Sequence, residues 1–252
     1  MYFSHNLIKI TLLIAFFLSF EVLAISFSIN GPNVISELSA YTAKYKVLRG
    51  NKEYGNATRA LNKNTTSYSL SFNSNASMLF YSIETNQTST FLWQENKITP
   101  LSYQGKDART FKDDKNLQLN FNHEQSILTV DKNGQKTEKK LSERLLDPLL
   151  VYEMIRFEAI ANDNNFNVKN LEYRVQDQDG VKEYHFINSG QFVVDTLLGE
   201  LKCIKLSRLR KNSSRKTHIW LAIDYDYIPV MILQENNNEE IATLVVTSII
   251  RS

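Results

Sequence analysis

The sequence predicts a mainly β protein: a single large antiparallel sheet, strongly curved or barrel-like, with one central helix at about residues 147–161. Three observations carry this prediction. Apolar residues alternate with polar ones from Ser39 onward, the period of half-buried strands. Turn signals separate these runs at short, regular intervals. Only one segment switches to a helical period.

Taken in order, the chain begins with a weakly basic stretch containing His5 and Lys9, then an apolar run from Ile10 to Phe20. Val22 and Ala24 place small side chains where a signal peptidase requires them, which predicts cleavage after Ala24 and a periplasmic destination. The alternative is an uncleaved membrane anchor. A transmembrane helix needs roughly 20 apolar residues, and Glu21 interrupts this run early. No cysteine follows the run to be acylated, so no lipid tether or transmembrane anchor is expected after cleavage. The expected organisation is a signal peptide over 1–24, a lead-in over 25–38 and one β-rich domain over 39–252.

Removing 24 of the 252 residues leaves 228, within the size that all-β folds reach as one unit. The formal net charge is +2 and is unchanged by cleavage, because Lys9 and Glu21 leave together. That balance argues against nucleic acid as a partner. Cys203 is the single cysteine, so no intramolecular disulfide can form. It lies in an alternating strand with no catalytic motif beside it, and a buried thiol is expected in preference to a reactive one.

Strands follow from the alternation. Tyr41, Ala43, Tyr45 and Val47 share one face, a turn follows at Arg49 to Lys52, and Tyr54 to Leu61 returns as a hairpin partner. Tyr68, Leu70 and Phe72 point inward from the next run. Leu79 to Ile83 and Ser89 to Trp93 follow as two strands or one long bent one. Pro100 suggests an edge position or a strand start. Leu117 to Phe121 and Ile127 to Val130 complete the first half, closing on a turn at Lys132 to Gly134. The basic cluster Lys136 to Lys140 beside it is expected to be a solvated hairpin end.

The helical segment opens with Asp147 as N-cap and Pro148 at the first helical position. Leu149, Leu150, Met154, Ile155, Phe157 and Ile160 form a broad apolar stripe, and Glu153 and Arg156 are placed to pair on the outer face. The helix is expected to pack on the sheet. Strands resume at Leu171 to Val175, Val181 to Phe186, Gln191 to Thr196, Lys202 to Arg210, Thr217 to Ile223, Pro229 to Gln234 and Ile241 to Ile250. Adjacent hairpins of this length close or nearly close a sheet.

Several motifs in this order are shared with a known family. They are Leu146-Asp147-Pro148-Leu149-Leu150-Val151-Tyr152 and Asp195-Thr196-Leu197-Leu198-Gly199 before an alternating basic strand. His218-Ile219-Trp220-Leu221-Ala222 and Tyr227-Ile228-Pro229-Val230 follow. In the first half, Tyr45 to Gly50, Gly55 and Ile98 to Tyr103 agree. Over roughly Tyr41 to Ile250 the chain resembles the bacterial exported domain-of-unknown-function family 3108, a group of uncharacterised periplasmic proteins. The resemblance implies an envelope location and a β-rich domain, and it implies no established activity. Members often carry a Ser or a longer polar stretch at the positions of Leu149 and Leu150.

No catalytic signature is present. His123, His185 and His218 lack metal-ligand spacing, so neither a metal nor another cofactor is expected, although His185 and His218 could meet across a sheet. Asp224 and Asp226 offer the best carboxylate pair for acid–base work or calcium, and a turn satisfying its own backbone accounts for them more simply. No nucleophile elbow, phosphate loop or dinucleotide fingerprint occurs.

The leading expectation is a non-catalytic binding or carrier module for an apolar or amphipathic envelope ligand, such as a lipid or lipoprotein-like molecule. By architecture this is analogous to periplasmic carriers of lipoproteins. Phe80, Phe91, Trp93 and Trp220 are the expected lining residues. One alternative is a structural or assembly protein that binds an envelope protein partner. The other is a hydrolase of envelope polymer.

Overall fold

The structure is a computed structural model that describes residues 37–251 except 79, 163–165, 167 and 212. The predicted signal peptide and cleavage site, and nearly all of the lead-in, lie outside the described residues. The chain divides into Met1–Gly31 and Pro32–Ser252, and all the described residues belong to the second unit.

Among the described residues, fifteen strands form one sheet. They are β1 (Tyr41–Arg49), β2 (Lys52–Lys63), β3 (Tyr68–Met78), β4 (Tyr81–Gln94), β5 (Lys97–Arg109), β6 (Lys112–Asn122), β7 (Ile127–Lys132) and β8 (Gln135–Lys140). A two-residue β9 (Leu145–Leu146) precedes the helix α1 (Leu150–Ala161). Then come β10 (Asn170–Asp177), β11 (Gly180–Thr196), β12 (Gly199–Leu209), β13 (Arg215–Ala222), β14 (Ile228–Asn236) and β15 (Glu239–Arg251). The spatial order is β8-β7-β6-β5-β4-β3-β2-β1-β15-β14-β13-β12-β11-β10-β9. Every neighbour pair is antiparallel except β9 with β10.

The first and last strands thus meet in mid-sheet, where β1 pairs with β15, and the sheet edges fall in mid-sequence. These edges curl toward one another. Lys139 of β8 donates to Gln176 of β10, and Gln178 donates to the Asn116 carbonyl of β6 at 3.3 Å. Side-chain bonds across the seam, with the parallel stub β9 on one side, make the sheet barrel-like and leave little open edge.

Turn chemistry fixes the hairpins. Glu95–Asn96, Asn133–Gly134 and Asn237–Asn238 each place both central residues at positive φ, the type I′ geometry that matches strand twist. Pro100 is neither at an edge nor at a strand start. It is the fourth residue of an inner strand, opposite Phe91, where a β-bulge between Thr90 and Phe91 removes the need for its missing N–H. The strand readings at Tyr81 to Trp93 merge into β4. Those on either side of Gly190 merge into β11, with a register break between Asn188 and Gln191.

The helix begins its regular turns at Leu150, yet Asp147 caps it as predicted. Its Oδ1 accepts the N–H groups of Leu149 at 2.9 Å and Leu150 at 2.8 Å. The helix is inserted into the barrel, so it is buried on nearly all sides. Glu153 and Arg156 do pair, at 2.8 Å, but not on an outer face as expected: Glu153 is 0 % and Arg156 2 % exposed. Their solvent is replaced by a network. Arg59 of β2 donates to Glu153 at 2.7 Å, Tyr41 of β1 donates to it at 3.0 Å, and Arg156 donates to the Asp226 carbonyl at 2.7 Å.

Below this network the core is aromatic. Phe157 packs on Trp93 with ring centroids 4.8 Å apart and on Phe91 at 6.4 Å. Burying a side chain of this size contributes roughly 1.5–3 kcal/mol, and the tilted ring pairs add to it.

Candidate functional site

The strand registers place the turns β1–β2, β3–β4, β5–β6, β10–β11, β12–β13 and β14–β15 at one end of the barrel. The helix fills the other end. Between them lies a cavity of about 560 Å³, a size typical of small-molecule sites. Its floor is the start of the helix, Pro148, Leu149 and Tyr152. Its walls include Val47, Phe72, Ile83, Ile219, Ile232 and Leu244.

Side-chain size explains why this half is hollow. The inward series of β3 runs Tyr68, Leu70, Phe72, Ser74, Ala76, from large to small toward the open end. That of β4 runs Ile83, Thr85, Gln87, Ser89, Phe91, Trp93, and becomes fully buried only from Ser89 onward. On β5, Gly105 lies between Tyr103 and Asp107, where larger side chains would close the space.

Acidic and basic groups at this end are unequal. Asp107, Asp177 and Glu235 line the cavity, and each is already engaged: Asp107 with Thr85 at 2.6 Å and Arg109 at 3.5 Å, Asp177 with Tyr184 at 3.2 Å and Lys182 at 3.5 Å, Glu235 with His218 at 3.1 Å. Arg208 on β12, Arg210 in the turn after it and Arg215 at the start of β13 also line it. Arg208 is 7 % exposed, and its guanidinium carbon stands 3.1 Å from the centroid of the Tyr184 ring. Arg210 stands on the exposed rim, where partial desolvation holds it below the usual arginine range and the charges of Arg208 and Arg215 press it in the same direction.

The four aromatic residues expected to line a site are placed elsewhere. Phe80 is 86 % exposed in the β3–β4 turn. Phe91 and Trp93 are packed against Phe157 beneath the cavity. Trp220 alternates with the wall residue Ile219 and so faces the other side of the sheet, with the Lys205 ammonium 4.9 Å above its ring. Sequence reasoning missed Arg208, Arg210, Arg215 and Tyr152. The available signal was parity: Leu206, Arg208 and Arg210 share one face of an otherwise apolar-inward strand.

Among the described residues no group of three or more His, Cys, Asp or Glu side chains is placed to hold a metal ion. His185 approaches Glu172 at 3.2 Å, whereas His218 bonds Ser207 and Glu235. Asp224 is exposed, and Asp226 pairs with Arg251 at 3.3 Å. Cys203 is fully buried, and burial pushes its thiol up to about 12, which suppresses the thiolate.

No curated protein matches this chain. The fold is similar to that of a crystal structure of a β-barrel-like protein of domain of unknown function DUF1849 from Brucella abortus. The TM-score is 0.56 at 10% identity, covering 86% of this chain and 99% of that one. Residues 40–245 match the family model described as protein of unknown function (DUF3108), and with most of its length so matched the chain belongs to that family.

Proposed function

We propose that the protein is a non-catalytic binding or carrier module that holds an apolar or amphipathic ligand in the half-empty barrel. The observation that carries this reading is the cavity of about 560 Å³ above the helix, walled by Phe72, Ile219, Ile232 and Leu244. A fold needing only stability would fill that volume, because unfilled space forfeits packing energy. The N-terminal sequence supports action after export, in the periplasm, on an envelope ligand such as a lipid.

Two measurements test the reading. Organic extracts of protein purified from its native host are expected to yield a small amphiphile in near-stoichiometric amount by mass spectrometry. Ligand-free protein is expected to take up N-phenyl-1-naphthylamine saturably. Absence of both a co-purifying molecule and saturable uptake overturns the proposal. N-terminal sequencing of the envelope fraction checks cleavage after Ala24.

A further inference from the structure

The cavity's charge distribution narrows the ligand class, an inference that rests on the binding reading above. We infer that the ligand is an anionic amphiphile, its sulfonate, phosphate or carboxylate head held by Arg208, Arg210 and Arg215 and its apolar body lying over Tyr152 toward Phe72 and Ile232.

Three guanidinium groups converge where β12 turns into β13, and all three line the cavity. Among the described residues, none of the three has a carboxylate within 4.0 Å, while the three acids of the cavity wall are paired with other groups. Arg208 is the most constrained. It is nine-tenths buried, its guanidinium carbon lies against the Tyr184 ring, and its Nε has no hydrogen-bond acceptor. A buried guanidinium edge without an acceptor is costly. Like charges crowded at a partly desolvated site are costly as well, as the downward push on Arg210 from its two neighbours indicates.

An oxyanion relieves both costs at once. Guanidinium groups present planar donor forks that match sulfonate, phosphate and carboxylate oxygens. Burial and the contact with Tyr184 hold one such fork in place before any ligand arrives, so little ordering is needed on binding. The apolar floor and walls directly below give the remainder of the molecule a place to leave water.

The test compares two probes of similar ring structure and different charge, 8-anilinonaphthalene-1-sulfonate and neutral N-phenyl-1-naphthylamine, titrated by fluorescence into the purified protein at low salt. The sulfonate is expected to bind at about one equivalent and roughly tenfold or more tighter than the neutral probe. Arg208→Gln with Arg210→Gln is expected to erase that advantage, so that the sulfonate binds this variant no more tightly than the neutral probe does. Arg210→Gln alone, on the exposed rim, is expected to weaken the sulfonate several-fold without affecting the melting temperature, so the test survives if the double variant folds poorly.

Equal binding of the two probes, or an advantage that persists in both variants, overturns this inference while the binding reading stands. Failure of both probes to bind, with no co-purifying amphiphile, overturns the binding reading itself. Inorganic phosphate that displaces the sulfonate at micromolar concentration, against a sodium chloride control of matched ionic strength, assigns the arginines to a free oxyanion and overturns the amphiphile assignment. Displacement only at much higher concentration supports it.

Discussion

The Tyr103 ring lies over Gly105, two residues along the same face of β5, so closely that a Cβ on Gly105 would stand 2.2 Å from the Tyr103 hydroxyl oxygen and 2.7 Å from the ring carbon bearing it. An aromatic side chain covering a glycine within a sheet restores the packing that the glycine lacks. Here it also bounds the cavity, since both residues line it.

Gly105→Ala is therefore expected to force the buried Tyr103 ring out of place, at a cost of about 1–3 kcal/mol. Tyr103→Ala removes the obstacle, so the double variant is expected to be less destabilised than the two single effects added together. Denaturant unfolding of the four proteins measures the coupling. Additive costs would show that the two residues do not act on each other.

Glu153 is held by three donors. Arg59 and Arg156 reach it from opposite sides, and Tyr41 completes the set. Burial pushes its carboxyl up, but the charges of Arg156 and Arg59 more than offset this and hold it below the usual range. Removing one member of a buried ion network strands the others, so Glu153→Gln is expected to cost about 3–5 kcal/mol. Replacing Glu153, Arg59 and Arg156 together by apolar residues of similar volume is expected to cost much less than Glu153→Gln alone. Urea midpoints would decide; a triple variant worse than the single one contradicts the argument.

The sheet was legible because alternation is local: Tyr41, Ala43, Tyr45 and Val47 declare one buried face within seven residues. The helix was legible from Asp147, Pro148 and its apolar stripe. The environment of Glu153 was not, since a polar pair on a helix ordinarily marks a solvated side. Only long-range folding brings Arg59, 94 positions away, to that pair. The cavity was hidden for a different reason. A hollow is made by the side chains that are absent, at Ser74, Ala76 and Gly105, whereas size drew the sequence reading to Phe91, Trp93 and Trp220, which fill the core or face away.

Phe157 is the central packing element beneath the cavity, in contact with Phe91, Trp93 and the Arg156 guanidinium. Phe157→Ala is expected to cost about 3–5 kcal/mol. Because Trp93 is its nearest aromatic neighbour, the substitution is also expected to shift tryptophan emission in the folded state. Unchanged emission with an unchanged unfolding midpoint would contradict the assigned packing.

Asp147 makes stability depend on pH with a sign opposite to that of most carboxylates. Its Oδ1 accepts from Ser89, Leu149 and Leu150, while Oδ2 is buried without a partner. Burial pushes its pKa up to about 6 despite these donors and the Arg59 charge. The unfolded value is about 3.9. Between these values the folded chain retains a proton that the unfolded chain has lost, so stability contributed by this group is complete below about pH 4 and falls as pH rises through 6, by roughly 3 kcal/mol in all. Asparagine caps a helix about as well as aspartate and does not ionise. Asp147→Asn is thus expected to be close to wild type near pH 4 and more stable than wild type at pH 7. The difference between the two proteins isolates this group from Glu153, whose lowered pKa acts in the opposite direction and is common to both. Unfolding free energies at pH 4, 5, 6 and 7 provide the measurement, and a difference that stays constant across that range would show that Asp147 does not titrate there.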